Sequence, residues 1–514
     1  MQADIAAGGY FGYLNDYPSA TIIPLAIFIF QKGLQHMSKF NTAQSIKTTN
    51  KEGHVAYGMT DKSKLVTQVL TSFFNESKFY GDNSAEMQKT IKNVIETDAE
   101  FVAKLAAFAR REFNMRSVAH VLTAHLAHEV KGKPFARETV RSVSLRGDDV
   151  TEIMACYLNL FGKPVPNSLK KGIADVMQGF DEYTLAKYKG DGKGVKMRDL
   201  LCLCRPTPKS EAQSGMWKRL LNGELETPYT WETELSAKGN NAKTWEELID
   251  SGKVGYMALL RNLRNILNAN PSNVDKVLDT IQNPEAVRRS RQLPFRYLSA
   301  YKELENIGGS RVFDALENAV DASIENMPRL DGTTVIAVDV SGSMMDTVSE
   351  KSKVHCYEIA MLIGLMANKI CDNSMFYTFN NVIEKHPVSK RSGILQTALS
   401  SRCGGGTDMY LPFQKMLDDK IKADRIIIVS DNECNSRGGL YSRKPVQSIA
   451  DEYRRVTGND IWVHAIDLQG YGTQQFHGAK TNIVAGWSER VFDFIKIAEQ
   501  GDGSLEKRIE SYTY

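Results

Sequence analysis

Apolar residues recur at helical spacing from about Lys62 to Ala322. In "EFVAKLAAFARREF", Phe101, Leu105, Phe108 and, one turn on, Phe113 fall near one face, while Lys104 and Arg111 lie elsewhere. Val118, Leu122 and Leu126 repeat the arrangement in "SVAHVLTAHLAHEV". Further segments of this kind, among them "DVTEIMACYLNLF", "MALLRNLRNIL" and "SRVFDALENAVDASI", are separated by Gly, Pro and Asn breaks. Paired helices with short breaks and no exact repeat predict a degenerate α-solenoid.

Near Met327-Pro328 the pattern changes. A short apolar run from Val335 carries Asp339 at its end, and a helix is predicted across "VHCYEIAMLIGLMANKI". "MFYTF", "RIIIVS" and "IWVHAIDL" then alternate with helical stretches at "LPFQKMLDDKI" and "VQSIADEYRRV". Strands alternating with helices predict a parallel, doubly wound sheet. Ligands of such sheets sit beyond the strand C-terminal ends, where Asp339 and Asp431 fall. The expected fold is mainly α, a helical-repeat array followed by an α/β domain.

Composition narrows the picture modestly. With 514 residues there is room for two or three cored domains, and 42% hydrophobic with 24% charged residues is ordinary for a globular protein. A net charge of +3 selects no partner, so local clusters must do so. The seven cysteines are scattered and odd in number, and Cys202 with Cys204 has neither zinc-ribbon nor thioredoxin spacing. A reduced, cytoplasmic setting is expected. "TIIPLAIFIF" (residues 21–30) is about half a membrane span and no basic segment precedes it, so neither membrane nor export is expected. Met37 opens "MSKFNTAQSIKTTN", which reads as a natural start and makes residues 1–36 an extension. The expected division is residues 1–40, 41–328 and 329–514.

Five oxygen-bearing side chains stand out in the α/β part: Asp339, Ser341 and Ser343 in "AVDVSGSM", Thr407 in "GGGTD" and Asp431 in "IIIVSDNE". Hard oxygen donors suit one Mg²⁺ or Mn²⁺ ion rather than zinc. Gly404, Gly405 and Gly406 would let the Thr407 loop approach the ion. The competing structural reading makes Ser-Gly-Ser a turn and Asp431 a helix cap. A Ser nucleophile lacks both Gly-x-Ser-x-Gly and a His base placed by sequence. Zinc on His120, His125 and His128 lacks HExxH or a nearby Cys. No residue is assigned a catalytic role.

Between Lys163 and Arg219 stand twelve Lys or Arg and six Asp or Glu. Lys187, Lys189, Lys193, Lys196, Arg198, Arg205 and Lys209 concentrate there, and a second cluster holds Arg288, Arg289, Arg291, Arg296 and Lys302 with Phe295, Tyr297 and Tyr301 interleaved. Cations for phosphates beside aromatics for bases suit single-stranded RNA. A solvated face with core aromatics is the plainer alternative.

The five oxygen donors resemble the metal-ion-dependent adhesion site of von Willebrand A domains. "FVAKLAAFARREFNMRSVAHVLTAHLA", "DEYTLAKYKGDGKGVKMRDLLCLCRPTP" and "QLPFRYLSAYK", followed by such a domain, resemble the TROVE module of the Ro autoantigen family from roughly Asn41 onward. That resemblance implies a closed ring of HEAT-like repeats joined to an A-domain. It implies a basic hole taking single-stranded 3′ ends of misfolded non-coding RNA, and an outer face binding Y RNA. The family's paired lysines match Lys187 and Lys189, and a following basic position has no clean counterpart, since Asp191 or Lys193 takes its place depending on a one-residue insertion. Arg205 stands where the family has an RNA-contacting histidine, which makes that charge permanent. Arg110 and Arg116 lie in another matching segment and are candidate contacts, as is Arg198. A monomeric, non-enzymatic RNA-binding protein is expected, without DNA, its metal open to an acidic protein partner. The rivals are a protein scaffold without specific RNA binding and a metal-dependent hydrolase.

Overall fold

A computed structural model describes residues 47–50, 53–71, 84–130, 133–190, 192–292, 294–325, 327–347, 352–435, 445–486, 490–501 and 505–514. The expected extension, its apolar stretch and Asp191 lie outside these.

Sixteen helices occupy the described residues between Asp61 and Ile324. Their ends follow local chemistry. Asp181 accepts the Thr184 N–H to start Glu182–Lys187, and Ser210 accepts the Gln213 N–H to start Glu211–Asn222, which Gly223 closes at φ +76°. Helix Ser117–Glu129 is buried on all sides from Val118 to Ala127, so the apolar stripe read from the sequence is part of a fully enclosed helix.

Nine short and long strands are described in all. The first two are β1 (Lys47–Thr49) and β2 (Val55–Gly58). The α/β part contributes β3 (Leu330–Asp339), β4 (Cys371–Phe379), β5 (Ile383–His386), β6 (Arg425–Ser430), β7 (Trp462–Asp467), β8 (Thr473–Gln474) and β9 (Thr481–Ala485). Six of these form the main sheet, in the order β5-β4-β3-β6-β7-β9. All its neighbours are parallel except the edge hairpin β4–β5. Alternation along each strand sends side chains into two cores. Val335, Ala337, Ile426 and Ile428 pack with helices Leu411–Asp418 and Gln447–Thr457. Ile336, Val338, Ile427 and Val429 instead join one continuous core with the helical array.

The array begins and finishes on the α/β domain. At its start, Phe108 and Phe113 pack on Phe494 of helix Arg490–Glu499, and Phe108 meets Tyr512 edge-on with ring centroids 5.3 Å apart. At its finish, Lys302 Nζ lies 2.8 Å from both Glu358 carboxylate oxygens. Glu317 of helix Ser310–Ile324 accepts the Ile394, Leu395 and Gln396 N–H groups, so one module caps a helix of the other.

The described residues that precede the helical array pair with the α/β part. β1 pairs with β2, and β2 pairs with β8. These residues belong to the α/β side, where Asn50 Nδ2 also donates to the Cys434 carbonyl at 2.8 Å. Among the described residues no helix is long and apolar enough to cross a membrane.

Lys302→Ala strands the buried Glu358 carboxylate. The denaturation midpoint should fall by an equivalent of about 3 kcal/mol. Lys353→Ala, which removes an exposed partner of Glu303, should cost less than about 0.5 kcal/mol.

Candidate metal centre and basic face

Two strand ends and a glycine-rich loop assemble the oxygen site. Asp339 closes β3 with no exposed surface; its Oδ1 accepts the Ser341 N–H at 2.9 Å and its Oδ2 accepts the Ser430 hydroxyl at 2.6 Å. Ser341 and Ser343 hydroxyls lie 3.2 Å apart on the 3₁₀ turn Gly342–Met345. Asp431 follows β6; its Oδ1 accepts the Glu433 N–H at 3.1 Å, while Oδ2 is buried without a hydrogen-bond partner among the described residues. Ser-Gly-Ser does form a turn, and among the described residues Asp431 caps no helix.

The Thr407 loop is held against this turn by backbone. Gly342 N–H donates to the Gly405 carbonyl and Gly404 N–H to the Val340 carbonyl, both at 2.8 Å. Gly405 sits at φ +83°, and a Cβ there would meet Asn381 Oδ1 at 2.8 Å, so both conformation and space call for glycine. Asn435 N–H donates to the Thr407 carbonyl at 2.8 Å, tying that loop to the segment after Asp431.

Burial, and then the nearby Asp431 charge, push the Asp339 carboxyl up against the pull of its hydrogen bonds from Ser341 and Ser430. Burial raises Asp431 as well. Two adjacent carboxylates, one with an unpartnered buried oxygen, beside two hydroxyls and a threonine make a donor set that a hard divalent cation fits.

Two neighbours escaped the sequence reading. Ser430 bridges the carboxylates, donating toward both Asp339 and Asp431. Asp467 ends β7 opposite Ser430 and is wholly buried; its Oδ1 accepts two N–H groups, its Oδ2 has no hydrogen-bond partner among the described residues, and burial pushes its pKa up to about 7. The available signal was that "IWVHAIDL" also places a carboxylate at a strand end. The histidines raised as bases are used elsewhere. His355 precedes helix Cys356–Ile370 with Nδ1 on the Met345 carbonyl, and His464 is buried on Glu499 and Asn482. Of the zinc candidates, His120 faces Asp149, whereas His125 and His128 pack on Phe161.

The expected cations divide. Lys187, Lys189, Lys193, Arg198 and Arg205 are exposed, with Lys193 on Glu152 at 2.6 Å and Arg198 beside Asp199. Arg205 terminates helix Met197–Cys204 in the left-handed region at φ +48°. Arg110 and Arg116 are engaged by internal carboxylates. Arg110 is 6% exposed and pairs with the fully buried Asp149, which Arg116 also engages at 2.5 Å. Burial favours a protonated Asp149, but the His120 hydrogen bond and both arginines hold its pKa well below the usual carboxylate range. These arginines brace helices. In the second cluster Phe295 and Tyr297 are core and Lys302 is paired, while Arg288 and Arg291 line a cavity of about 470 Å³ with Arg111 and Arg490 at the seam with the α/β domain.

Residues 59–224 and 212–357 match the TROVE domain, and residues 333–463 match the Ro60 vWA domain. The chain belongs to the TROVE family of Ro proteins. Telomerase protein component 1 of Rattus norvegicus is 25% identical over 328 residues, 47% of this chain and 12% of that one. This TROVE protein therefore spans a small part of that longer relative. RNA-binding protein RO60 of Caenorhabditis elegans is 27% identical over 45% of this chain and 38% of its own. The Deinococcus radiodurans RO60 is 22% identical over 75% of this chain and 83% of its own. The crystal structure of the Deinococcus radiodurans RO (RSR) protein shares the fold, with TM-score 0.59 and 17% identity over 86% of this chain and 100% of that one.

The carboxylate pair predicts a pH signature. The folded state retains a proton that unfolded carboxylates release above about pH 4, so the pair's contribution is fully present below that pH and lost as pH rises through the raised folded value. Mg²⁺ should raise the melting midpoint of the wild type at mildly alkaline pH. Asp339→Asn should flatten this part of the pH profile and remove the Mg²⁺ response in calorimetry.

Proposed function

We propose that this TROVE protein is a non-catalytic RNA-binding protein that holds single-stranded 3′ ends and structured non-coding RNA. The observation that carries the reading is the exposed set Lys187, Lys189, Lys193, Arg198 and Arg205 on the part of the chain that matches the TROVE domain. Relatives whose names state RNA binding support it. Cations on a helical surface neutralise phosphates whatever the sequence, so selection rests on shape and single-strandedness. With arginine at 205, the contact has no histidine titration, and affinity for a Y-type stem should not gain from acidification.

In the same reading Asp339, Ser341, Ser343, Thr407 and Asp431 would hold one Mg²⁺ or Mn²⁺. When bound, the ion supplies a Lewis-acidic position for a partner's carboxylate. The protein's own part is to keep Asp339 and Asp431 dry through Ser430 and the glycine loop. Hydrolysis on a metal usually gathers more carboxylates around paired ions, which favours the binding reading.

Lys187→Ala with Arg205→Ala should weaken binding of a tailed structured RNA by about tenfold or more. It should also flatten the salt slope by about 0.7 for each phosphate that is no longer neutralised. Gel shifts with and without a single-stranded 3′ tail measure both. Asp339→Ala should spare that affinity while ending metal-dependent partner capture. The absence of any tail preference would favour the scaffold reading.

A further inference from the structure

Three of the large apolar side chains left exposed among the described residues, Tyr183, Tyr229 and Met257, line one cleft of about 780 Å³. Exposed aromatics gathered in a concave site call for a ligand, because scattered ones would not share a cavity. One wall is helix Glu182–Lys187 with Tyr188. The other is the segment from Leu225 to Thr233 with the start of helix Tyr256–Ala269. Helix Trp231–Lys238, which opens on this wall, has no fully buried side chain, and Trp231 at its start is half-buried against the edge of the core.

The rings carry cations. Lys253 Nζ lies 5.0 Å from the Tyr229 ring centre on one side. On the other, Lys187 Nζ lies 5.5 Å from Tyr183 and 5.7 Å from Tyr188, with Arg146 over Tyr188 at 5.6 Å. Counting Lys189 and Arg261, the lining holds five cations against the two carboxylates Glu226 and Glu232.

We propose that this cleft is a base-stacking groove for single-stranded RNA, in which Tyr183 and Tyr229 receive bases while Lys187, Lys253, Arg146 and Arg261 meet the flanking phosphates. Stacking needs an exposed ring face and phosphate needs a nearby cation, and the cleft pairs them on both walls. A proline-rich peptide also uses aromatic grooves, but it gains nothing from five cations. The inference rests on the RNA-binding reading. It extends that reading from the Lys187 edge to a second wall that charge alone would not reveal. Duplex RNA keeps its bases stacked inside and cannot offer them to these rings.

The test uses the full chain with labelled oligouridine and with a blunt RNA duplex. Tyr229→Ala should lose about tenfold in oligouridine affinity with an unchanged salt slope, and Tyr229→Phe should recover most of it. Lys253→Ala should reduce the slope by about 0.7. Duplex binding should not follow the Tyr229 variants. In the wild-type protein, 4-thiouridine photocrosslinks should map to peptides carrying Tyr183 or Tyr229. Crosslinks confined to other segments would overturn the proposal, as would equal losses in the Ala and Phe variants or displacement of RNA by a proline-rich peptide. If Tyr229→Ala binds like wild type while Lys187→Ala with Arg205→Ala is weak, the groove falls and the RNA reading stands. If the wild type binds neither oligouridine nor tailed RNA, the RNA reading itself falls.

Discussion

A single sheet must satisfy two cores at once, and the rest of the molecule follows from that. Period-two alternation gives Val335 and Ala337 to a local α/β core and Ile336 and Val338 to the core of the helical array. A one-residue slip of β3 would exchange the two sets. Both ends of the array therefore have to return to the same sheet: Phe108 and Phe113 through Phe494, and Glu317 and Lys302 through helices of the A-domain. The charged contacts at the second end are low in solvent, so they act as positional constraints rather than as surface decoration.

Electrostatics divide the protein's charged groups into two kinds. Asp149 is neutralised internally by Arg110 and Arg116, with His120 beside it, and it contributes rigidity among the first repeats. Asp339 and Asp431 have no such cation among the described residues and are kept together by Ser430 and backbone donors. The first arrangement is complete in itself. The second leaves two buried carboxylates without a compensating cation among the described residues, and that difference motivates the metal proposal.

Much of this was legible from the residues. The change of period near Met327, the strand ends at Asp339 and Asp431, and the glycines beside Thr407 are local features, and local features survive in a linear reading. The pairing of Arg110 and Arg116 with Asp149 was not legible, because a positive charge in a sequence does not name its partner, here more than thirty positions away. The interleaved aromatics Phe295 and Tyr297 proved to be core, whereas Tyr183 and Tyr229, which no periodicity marks, stayed in water. β1, β2 and β8 were also missed: strands of two to four residues carry too little alternation to be seen, and their pairing joins positions some four hundred residues apart.

The return of the chain to its beginning also has a temporal side. Helix Arg490–Glu499 and Tyr512 cover the aromatic face of Phe108 and Phe113, so the first repeats obtain that cover only after the A-domain has been synthesised. During translation those rings wait, unpartnered, for nearly the whole length of the polypeptide to emerge. The helical half is thus first in sequence but cannot be first to reach its native packing, and a nascent chain of this protein presents to chaperones the apolar surface that the finished molecule hides.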